Sequence, residues 1–292
     1  MKPSMKKLAF VRHATQLHWV GDGFPVRTIF SYKELGARLS PFLLLDYAGP
    51  LHFAPTERRR GVGEHPHRGF ETVTIVYDGQ VAHRDSSGGG GLIGPGDVQW
   101  MTAASGVVHE EYHAPEFARL GGRLRMVQLW VNLPARHKMD TPRYQAITND
   151  QIPTVELPEA AGVVRVIAGK HKSTGGPAHT YSRVSVFDAR LKAGGRAVFH
   201  VRHGDTAALL VLNGVARVGN GEDLFEAGLA VFEHRGTSFE VTAWEDTTVL
   251  VLAGEPIDEP IVGQGPFVMN TQPEVVQAFR DYDGGRMGHI VD

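Results

Sequence analysis

The two halves of the chain repeat one order of short apolar runs and glycine turns, and this repeat limits the fold more than any single segment. An apolar run ends at Asp78-Gly79 in the first half, and a similar run ends at Asn213-Gly214 in the second. Both dipeptides are strong signals for a tight β-hairpin. The runs 126–134 and 248–256 correspond in the same way. Short strands and turns that occur twice predict two antiparallel β-barrels or jelly rolls in tandem.

The predicted fold class is therefore all-β, with one helix near the end of the chain. We expect residues 1–138 to form the first domain, 139–160 a polar, proline-containing linker, and 161–292 the second domain. The segment 273–282 is the best helix candidate, since a proline and a glutamate open it and apolar residues follow at helical spacing.

Composition excludes several classes of protein. Thirty basic and 32 acidic residues give a net charge of -2, whereas a protein that mainly grips nucleic acid carries a strong basic excess. The chain has no cysteine, so disulfides are excluded and any metal must be held by nitrogen and oxygen ligands. We find no signal peptide and no run near the ~18 apolar residues of a membrane span. A soluble, cytoplasmic protein without direct nucleic-acid or membrane binding is expected.

Two pairs of potential metal ligands lie in the first half. His65 and His67 stand at the start of the strand that leads to the first glycine turn, and His109 and Glu111 lie in a second extended stretch. Residues i and i+2 of a strand point to the same face, so each pair can aim at one point. Neutral imidazole is the commonest protein ligand for transition metals. Three imidazoles and one carboxylate leave positions open for water, oxygen or substrate.

The second half lacks this constellation. Counted back from the turn glycines, His65 corresponds to His200 and His67 to Arg202. The second half is also shorter in the part where the first half carries its other pair of ligands. We therefore predict one metal per chain, in the first domain. Structural or solvent-exposed roles are expected for three histidines of the second half: His200, His203 and His234.

The first pair of histidines belongs to a longer set of motifs. These are FLLLD (42–46), HPHRGFETVT (65–74), GPGDVQWMTA (94–103), GVVH (106–109), VQLWVNLP (127–134), EPIV (259–262) and GPFVMNT (265–271). In these motifs, from about residue 40 to its end, the chain resembles the pirins, which are bicupins of the cupin superfamily. The resemblance implies two cupin domains, with one metal, usually iron, in the first and a second cupin-like domain without a metal site.

The resemblance also implies a ligand set, which carried over by motif position is His65, His67, His109 and Glu111. The general cupin pattern instead takes its carboxylate from the first motif, where Glu71 stands. Glu71 is thus an alternative ligand, or an acceptor that orients a histidine. Tyr47 stands where an acidic residue is common in the family. Whether this chain has the same pocket rim as the family is therefore an open question. Candidate pocket residues are Phe53, Phe70, Trp100, Tyr112 and His113.

Two functions of different classes follow from the resemblance. Some pirins open the ring of the flavonol quercetin with dioxygen, which implies a metal-dependent dioxygenase with iron(II) as the expected metal and other divalent metals as alternatives. The flavonol hydroxyl would lose its proton to Glu111 or Glu71. The alternative is a metal- or redox-dependent regulator that binds a transcription factor or a metabolic enzyme. An oxygenase needs a cavity of several hundred cubic ångströms over the metal, whereas a regulator does not.

Overall fold

Strands dominate the computed structural model, which describes residues 4–219 and 221–290. The α-helices among these residues are α1 Tyr32–Leu39, α2 Pro115–Leu120 and α3 Gln272–Asp283. Short 3-10 helices span Ala135–His137, Asn149–Gln151 and Pro158–Ala160. The all-β prediction is confirmed. Within the described residues, every helix is too short or too polar to cross a membrane.

The predicted C-terminal helix is confirmed as α3. Thr271 caps it: the Thr271 side chain accepts a hydrogen bond from the backbone N–H of Glu274, and the Glu274 carboxylate accepts one from the backbone N–H of Thr271. This reciprocal capping box satisfies two backbone donors that a helix start leaves unpaired. The helix buries Val275 and Ala278.

The chain divides into two compact units, each discontinuous in sequence. One, here called the histidine unit, comprises Gln16–Ala37, Phe42–Asn149 and Ile257–Asp292. The other, here called the apolar unit, comprises Met1–Thr15, Arg38–Pro41 and Asp150–Pro256. The linear division at residues 139–160 stays a prediction about domain limits.

Strands are numbered β1–β26 along the chain. Those of the histidine unit are β2 Leu17–Val20, β3 Phe24–Ser31, β4 Phe42–Phe53, β5 Gly61–His67, β6 Phe70–Asp78, β7 Val81–Asp85, β8 Gly90–Ile93, β9 Val98–Thr102, β10 Val107–His113, β11 Gly122–Asn132, β12 Arg143–Ile147, β25 Val262–Gln264 and β26 Phe267–Met269. Those of the apolar unit are β1 Leu8–His13, β13 Thr154–Glu156, β14 Gly162–Ala168, β15 Lys170–His171, β16 Thr174–Gly175, β17 Val184–Leu191, β18 Arg196–His200, β19 Thr206–Asn213, β20 Ala216–Val218, β21 Asp223–Leu224, β22 Gly228–Phe232, β23 Ser238–Ala243 and β24 Thr247–Gly254.

Each unit contains a seven-stranded and a four-stranded antiparallel sheet, together with a two-stranded one: β25-β26 in the histidine unit and β15-β16 in the apolar unit. In the histidine unit the orders are β12-β9-β6-β11-β4-β3-β2 and β5-β10-β7-β8. In the apolar unit they are β1-β22-β19-β24-β17-β14-β13 and β18-β23-β20-β21. The inner faces of both sheets contribute to one core: in the histidine unit, Val76 of the larger sheet and Val81 of the smaller share a buried cluster.

The glycine turns are present, but neither closes a hairpin. Gly79 and Gly214 have φ angles of 83° and 84°, which glycine adopts without strain. Strand β6, before Gly79, pairs with β9 and β11, whereas β7 pairs with β8 and β10. Strands β19 and β20 likewise belong to different sheets. The hairpin prediction is wrong because a turn dipeptide sets the local direction of the chain, not the strand with which the next segment pairs.

Strand register aligns the two units residue by residue. Val81 and Ala216 each lie two residues after the turn glycine, at the start of equivalent strands. Val81 pairs with His113 on β10, and Ala216 pairs with Ala243 on β23. Strands β10 and β23 therefore run in the same register against equivalent neighbours.

This register corrects the predicted match of His65 with His200. His109 lies four residues before His113 on β10, and Phe239 lies four residues before Ala243 on β23, so His109 corresponds to Phe239. His65 pairs opposite His109, and Phe199 pairs opposite Phe239. The equivalent of His65 is therefore Phe199, whereas His200 is its exposed neighbour. Counting back from the glycines failed because the second half has one more residue between this strand and the turn.

Candidate metal centre

Three of the predicted ligands meet inside the histidine unit. His65 and His67 lie on β5, and His109 lies directly opposite His65 on β10. The ring centroids are 5.0 Å apart for His65 and His67, 4.2 Å for His65 and His109, and 4.9 Å for His67 and His109. One nitrogen of each ring lies within 4.8 Å of the others. This spacing suits a single ion held between three imidazoles.

Burial keeps two of these rings neutral. His67 and His109 are buried, and His65 is partly exposed. Burial, followed by the charge of the neighbouring histidines, lowers the pKa of His67 and of His109 well below the usual value. A neutral imidazole has a free lone pair, which a metal ligand requires.

Hydrogen bonds leave the same nitrogen of each ring free. His65 Nδ1 lies 2.8 Å from the carbonyl oxygen of Gly63, and His67 Nδ1 lies 3.3 Å from that of Pro266. A carbonyl only accepts, so in both rings Nδ1 carries the proton and Nε2 keeps its lone pair. His109 Nε2 is buried without a hydrogen-bond partner among the described residues. The donor set therefore fits a divalent transition metal bound through three Nε2 atoms.

Glu111 lies beside His109 but in a second group. One carboxylate oxygen accepts a hydrogen bond from Thr74 Oγ1 at 3.2 Å, and the other accepts one from Gln128 Nε2 at 2.8 Å. Its ligand atom falls within 4.8 Å of those of His83 and His109. The register of β10 against β5 shifts between His109 and Glu111. The four-residue ligand set with Glu111 stays a prediction, and His109 is common to both groups.

Glu71 lies on the opposite face of its sheet. Its carboxylate accepts a hydrogen bond from Thr102 Oγ1 at 2.7 Å, and burial raises the pKa of Glu71 to about 7. The expected period of two is interrupted after His67, since Gly69 turns the chain with a φ angle of 90°. A side chain at Gly69 would collide with the carbonyl of Val268. Consequently Phe70, not Glu71, contacts His67, with ring centroids 5.2 Å apart.

A small cavity adjoins His65, one of the three clustered histidines. Its volume is about 30 Å³, which is room for roughly two water-sized molecules and far below the ~300–1,000 Å³ of common ligand pockets. The lining residues are Val20, Phe24, Val26, Asp46, Ala48, Val62, His65, Glu111, Met126 and Gln128. Burial raises the pKa of Asp46, and its Oδ1 accepts a hydrogen bond from Thr28 Oγ1 at 2.6 Å.

Several buried polar groups without partners lie on the strands that carry neighbours of the cluster. Among the described residues, Thr72 Oγ1, both amide atoms of Gln99 and Trp130 Nε1 make no hydrogen bond. Thr72 shares a face of β6 with Thr74, and Gln99 lies opposite Thr74 in the sheet. The Trp130 ring centroid is 5.2 Å from that of His67. Unsatisfied buried polar groups are rare in folded proteins, so each calls for an explanation, and a functional role is one such explanation.

The aromatic pocket candidates lie elsewhere. Phe70 stacks on Trp130 at 4.3 Å, and Phe53 packs against His113 at 4.6 Å. Trp100 is fully buried, and the Arg59 guanidinium lies 3.5 Å from the Tyr112 ring centroid. The described lining of the cavity includes none of the five candidates: Phe53, Phe70, Trp100, Tyr112 and His113.

His83 and Asp85, on β7, belong to the cluster but were not predicted. His83 Nε2 lies 3.1 Å from Asp85 Oδ2, and both side chains are buried. Burial acts to raise the pKa of Asp85, but hydrogen bonds from His83, Ser87 and Gly89 outweigh it and lower the pKa. The signal that would have found them is their i, i+2 spacing on the strand after the glycine turn, the same spacing as in the two predicted pairs.

Comparison with known proteins identifies close relatives. The Pirin family model matches residues 23–131, and the model of the Pirin C-terminal cupin domain matches residues 186–288. A Pseudomonas aeruginosa protein provisionally assigned as a quercetin 2,3-dioxygenase is 55% identical over 282 residues, 97% of this chain and 98% of that protein. A pirin-like protein of Caulobacter vibrioides is 44% identical over 250 residues, 84% of this chain and 87% of that protein. The crystal structure of a quercetin 2,3-dioxygenase from Acinetobacter baumannii shares 51% identity and a TM-score of 0.96, and covers 99% of this chain and 100% of its own.

Proposed function

Because the chain belongs to the pirin family, we propose that it is a metal-dependent dioxygenase that opens the ring of a flavonol such as quercetin. The observation that carries the proposal is the convergence of three imidazoles, whose Nε2 atoms make no hydrogen bond within the described part of the chain, beside a small cavity that His65 and Glu111 line. The provisional assignment of the Pseudomonas aeruginosa relative as a quercetin 2,3-dioxygenase, and the same name on the Acinetobacter baumannii structure, support this reaction class.

The proposed ligands are Nε2 of His65, His67 and His109, with a carboxylate oxygen of Glu111 as the fourth. Iron(II) is the proposed metal, because nitrogen and oxygen ligands tolerate it and because, unlike zinc, it changes oxidation state. When bound, such a metal supplies positive charge for an oxygen anion of the substrate and a redox centre for dioxygen. Thr74 and Gln128 hold the Glu111 carboxylate in place through one hydrogen bond to each oxygen.

A second carboxylate in the cavity is the proposed proton acceptor. Asp46 lines the cavity with Glu111, and burial raises the pKa of Asp46. A carboxylate with a raised pKa is better matched to a phenolic hydroxyl. Thr28 occupies Asp46 Oδ1, so the flavonol 3-hydroxyl would give its proton to Oδ2. Glu71, the earlier alternative, faces away from the cavity and has no role in this proposal.

The cavity volume favours a second candidate function. About 30 Å³ accommodates dioxygen or water but not a flavonol, so catalysis requires the wall to move. A metal-dependent regulatory protein, which binds a protein partner and turns over no substrate, needs no such movement. Val20 and Val62 are partly exposed apolar residues of the wall, and their displacement would widen the cavity.

The two candidates differ in oxygen uptake. Iron-loaded protein is mixed with quercetin with and without oxygen, while flavonol absorbance and dissolved oxygen are followed. We expect equal molar loss of quercetin and oxygen, none without oxygen, and none from the zinc-loaded protein. His113→Gln is the matched control, because this buried histidine hydrogen-bonds the carbonyl of Gly23 and lies outside the cluster.

Asp46→Asn should keep the metal and lower the turnover number of the iron-loaded protein, since only the proton acceptor is lost. The paired variants Val20→Ala and Val62→Ala should lower KM if the wall limits access. Fully iron-loaded protein that takes up no oxygen with a series of flavonols would contradict the dioxygenase proposal and favour the regulatory one.

A further inference from the structure

We propose that His83 and Asp85 are positioning residues, which form a hydrogen-bonded chain that fixes the orientation and the tautomer of His109. The chain runs from Asp85 through His83 to His109 and makes His109 present Nε2 to the metal. The inference rests on the metal site of the proposed function, but not on the reaction carried out there.

The three side chains are held in line by adjacent strands. On β7 and β10, Asp85 pairs with His109 and His83 pairs with Glu111. His83 Nε2 lies 3.1 Å from Asp85 Oδ2, and His83 Nδ1 lies 3.4 Å from His109 Nδ1. Each of the three residues is at most 5% exposed. Water therefore competes little with the hydrogen bonds that link Asp85, His83 and His109.

The direction of each hydrogen bond follows from the Asp85 end. Asp85 Oδ1 accepts hydrogen bonds from Ser87 N at 2.8 Å, Ser87 Oγ at 2.6 Å and Gly89 N at 3.0 Å. A carboxylate held by three donors is an acceptor only. His83 must then donate from Nε2, and as a neutral ring it accepts at Nδ1. His109 must donate from Nδ1, which leaves its lone pair on Nε2.

Packing holds the middle ring of this chain. Tyr144 stacks on His83, with ring centroids 5.1 Å apart and planes 17° from parallel. Gly89 allows the loop to close over the pair, since a side chain there would overlap both the Asp85 carboxylate and Tyr144. His83 can therefore neither tilt away from His109 nor exchange Asp85 for another acceptor without moving Tyr144.

The competing arrangement makes His83 a ligand. His83, His109 and Glu111 also offer three ligand atoms within 4.8 Å. That site would use Nδ1 of His109, because Nδ1 is the atom that faces His83. The site with His65 and His67 uses Nε2 of the same ring. The two arrangements therefore require opposite nitrogens of His109, and a measurement of its tautomer separates them.

The first test is long-range proton–nitrogen NMR of protein that is labelled with 15N in histidine and loaded with zinc, which is diamagnetic. We expect a metal-bound nitrogen shift at His109 Nε2, a proton on His109 Nδ1, a proton on His83 Nε2 and an unprotonated, metal-free His83 Nδ1. A metal shift on either nitrogen of His83, or a proton on His83 Nδ1, would overturn the proposal.

The second test removes the carboxylate. In Asp85→Asn the amide N–H can donate to His83 Nε2, so the His83 proton moves from Nε2 to Nδ1. His83 Nδ1–H and His109 Nδ1–H would then face each other as two donors, and His109 would no longer be held with its proton on Nδ1. We expect this tautomer change, together with a ~10–100-fold loss of zinc affinity at unchanged stoichiometry. His83→Gln should weaken zinc binding similarly. His113→Gln, on the same strand as His109, should bind zinc as the unaltered chain does.

A milder variant guards against misfolding. Ser87→Ala removes one donor to Asp85 and leaves both histidines in place, so it should weaken zinc binding less than Asp85→Asn does. Wild-type tautomers and affinity in Asp85→Asn would contradict the proposal. Because zinc binding and NMR require no turnover, a chain without oxygenase activity can still pass these tests, which separates this inference from the proposed function.

Discussion

The histidine unit and the apolar unit share one frame and differ in what fills it. Their seven-stranded and four-stranded sheets follow corresponding strand orders, and the same glycine turn joins the sheets in both. Inside the histidine unit lie imidazoles, carboxylates and amides that have no hydrogen-bond partner in the part of the chain that the structure describes. The equivalent interior of the apolar unit is a continuous cluster of buried aliphatic and aromatic side chains. The shared strand arrangement therefore sets the fold, whereas the inward-facing side chains determine what each unit can bind.

The replacements are specific. Where the histidine unit has His65 and His109, the apolar unit has Phe199 and Phe239, with ring centroids 5.5 Å apart. Val241 of the apolar unit stands where the histidine unit has Glu111. Burial of a phenylalanine contributes ~1.5–3 kcal/mol relative to leaving it exposed. The histidine unit thus forgoes hydrophobic stabilisation at the positions where it can bind a metal.

The largest expected effect is on metal loading. We expect one tightly held divalent metal per chain, and none after His65→Ala and His67→Ala are combined, because two of three converging imidazoles are lost. The matched control is His200→Ala, which alters an exposed histidine of the apolar unit. Elemental analysis after loading and dialysis measures this. Two metals per chain, or one metal that stays bound in the double variant, would contradict the predicted difference between the units.

The next effect is on stability without metal. Phe239→Ala should lower the free energy of unfolding by about 3–5 kcal/mol, because it leaves a cavity in a packed core. Phe239 stacks on Phe232 with centroids 4.2 Å apart. The equivalent His109→Ala should lower it by less, since a neutral imidazole with an unpaired nitrogen contributes less on burial. Urea unfolding of metal-free protein compares the two, and equal losses would show that the histidines stabilise the fold as the phenylalanines do.

A smaller effect separates the two carboxylates of the histidine unit. Glu111→Gln should reduce metal affinity by more than the ~10–100-fold typical of groups that only orient a ligand. Glu71→Gln, on the opposite face of its sheet and hydrogen-bonded to Thr102, should change affinity little. Competition with a chelator of known affinity gives both values. If Glu71→Gln binds metal more weakly than Glu111→Gln, the general cupin arrangement applies.

The smallest effect is a loss of stability in mild acid. His67 and His109 have pKa values well below 6.5 in the folded protein, mainly through burial. Well above pH 6.5 both rings are neutral in the folded and in the unfolded protein, but as pH falls through 6.5 toward the lowered pKa values the unfolded chain binds protons that the folded chain does not. Stability should fall by up to about 1.4 kcal/mol per pH unit for each group. Urea unfolding of metal-free protein at pH 7.5 and 5.5 measures this, and His67→Gln should reduce the difference.

Much of the candidate site could be predicted from local spacing. The i, i+2 pattern places His65 with His67, and the extended stretch that carries His109 is strand β10 in the structure. The same rule failed at Glu71, because Gly69 reverses the chain between two strands and the period restarts at Phe70. Asp46 stood in a recognised motif without a role, and only the meeting of β4 with β10 and β11 around one cavity places it beside Glu111.

By itself the sequence determined the class of fold, its twofold repeat and the C-terminal helix, and it pointed to three histidines that meet in one cluster. Strand period, turn chemistry and capping depend on neighbours in the chain. Only the tertiary structure decided that the glycine turns join different sheets, that His65 corresponds to Phe199, and that His83 lies against His109. Each of these depends on which distant strands pair and in what register. Register follows from the packing of whole inner faces, where a shift of one residue moves every side chain to the other side of the sheet.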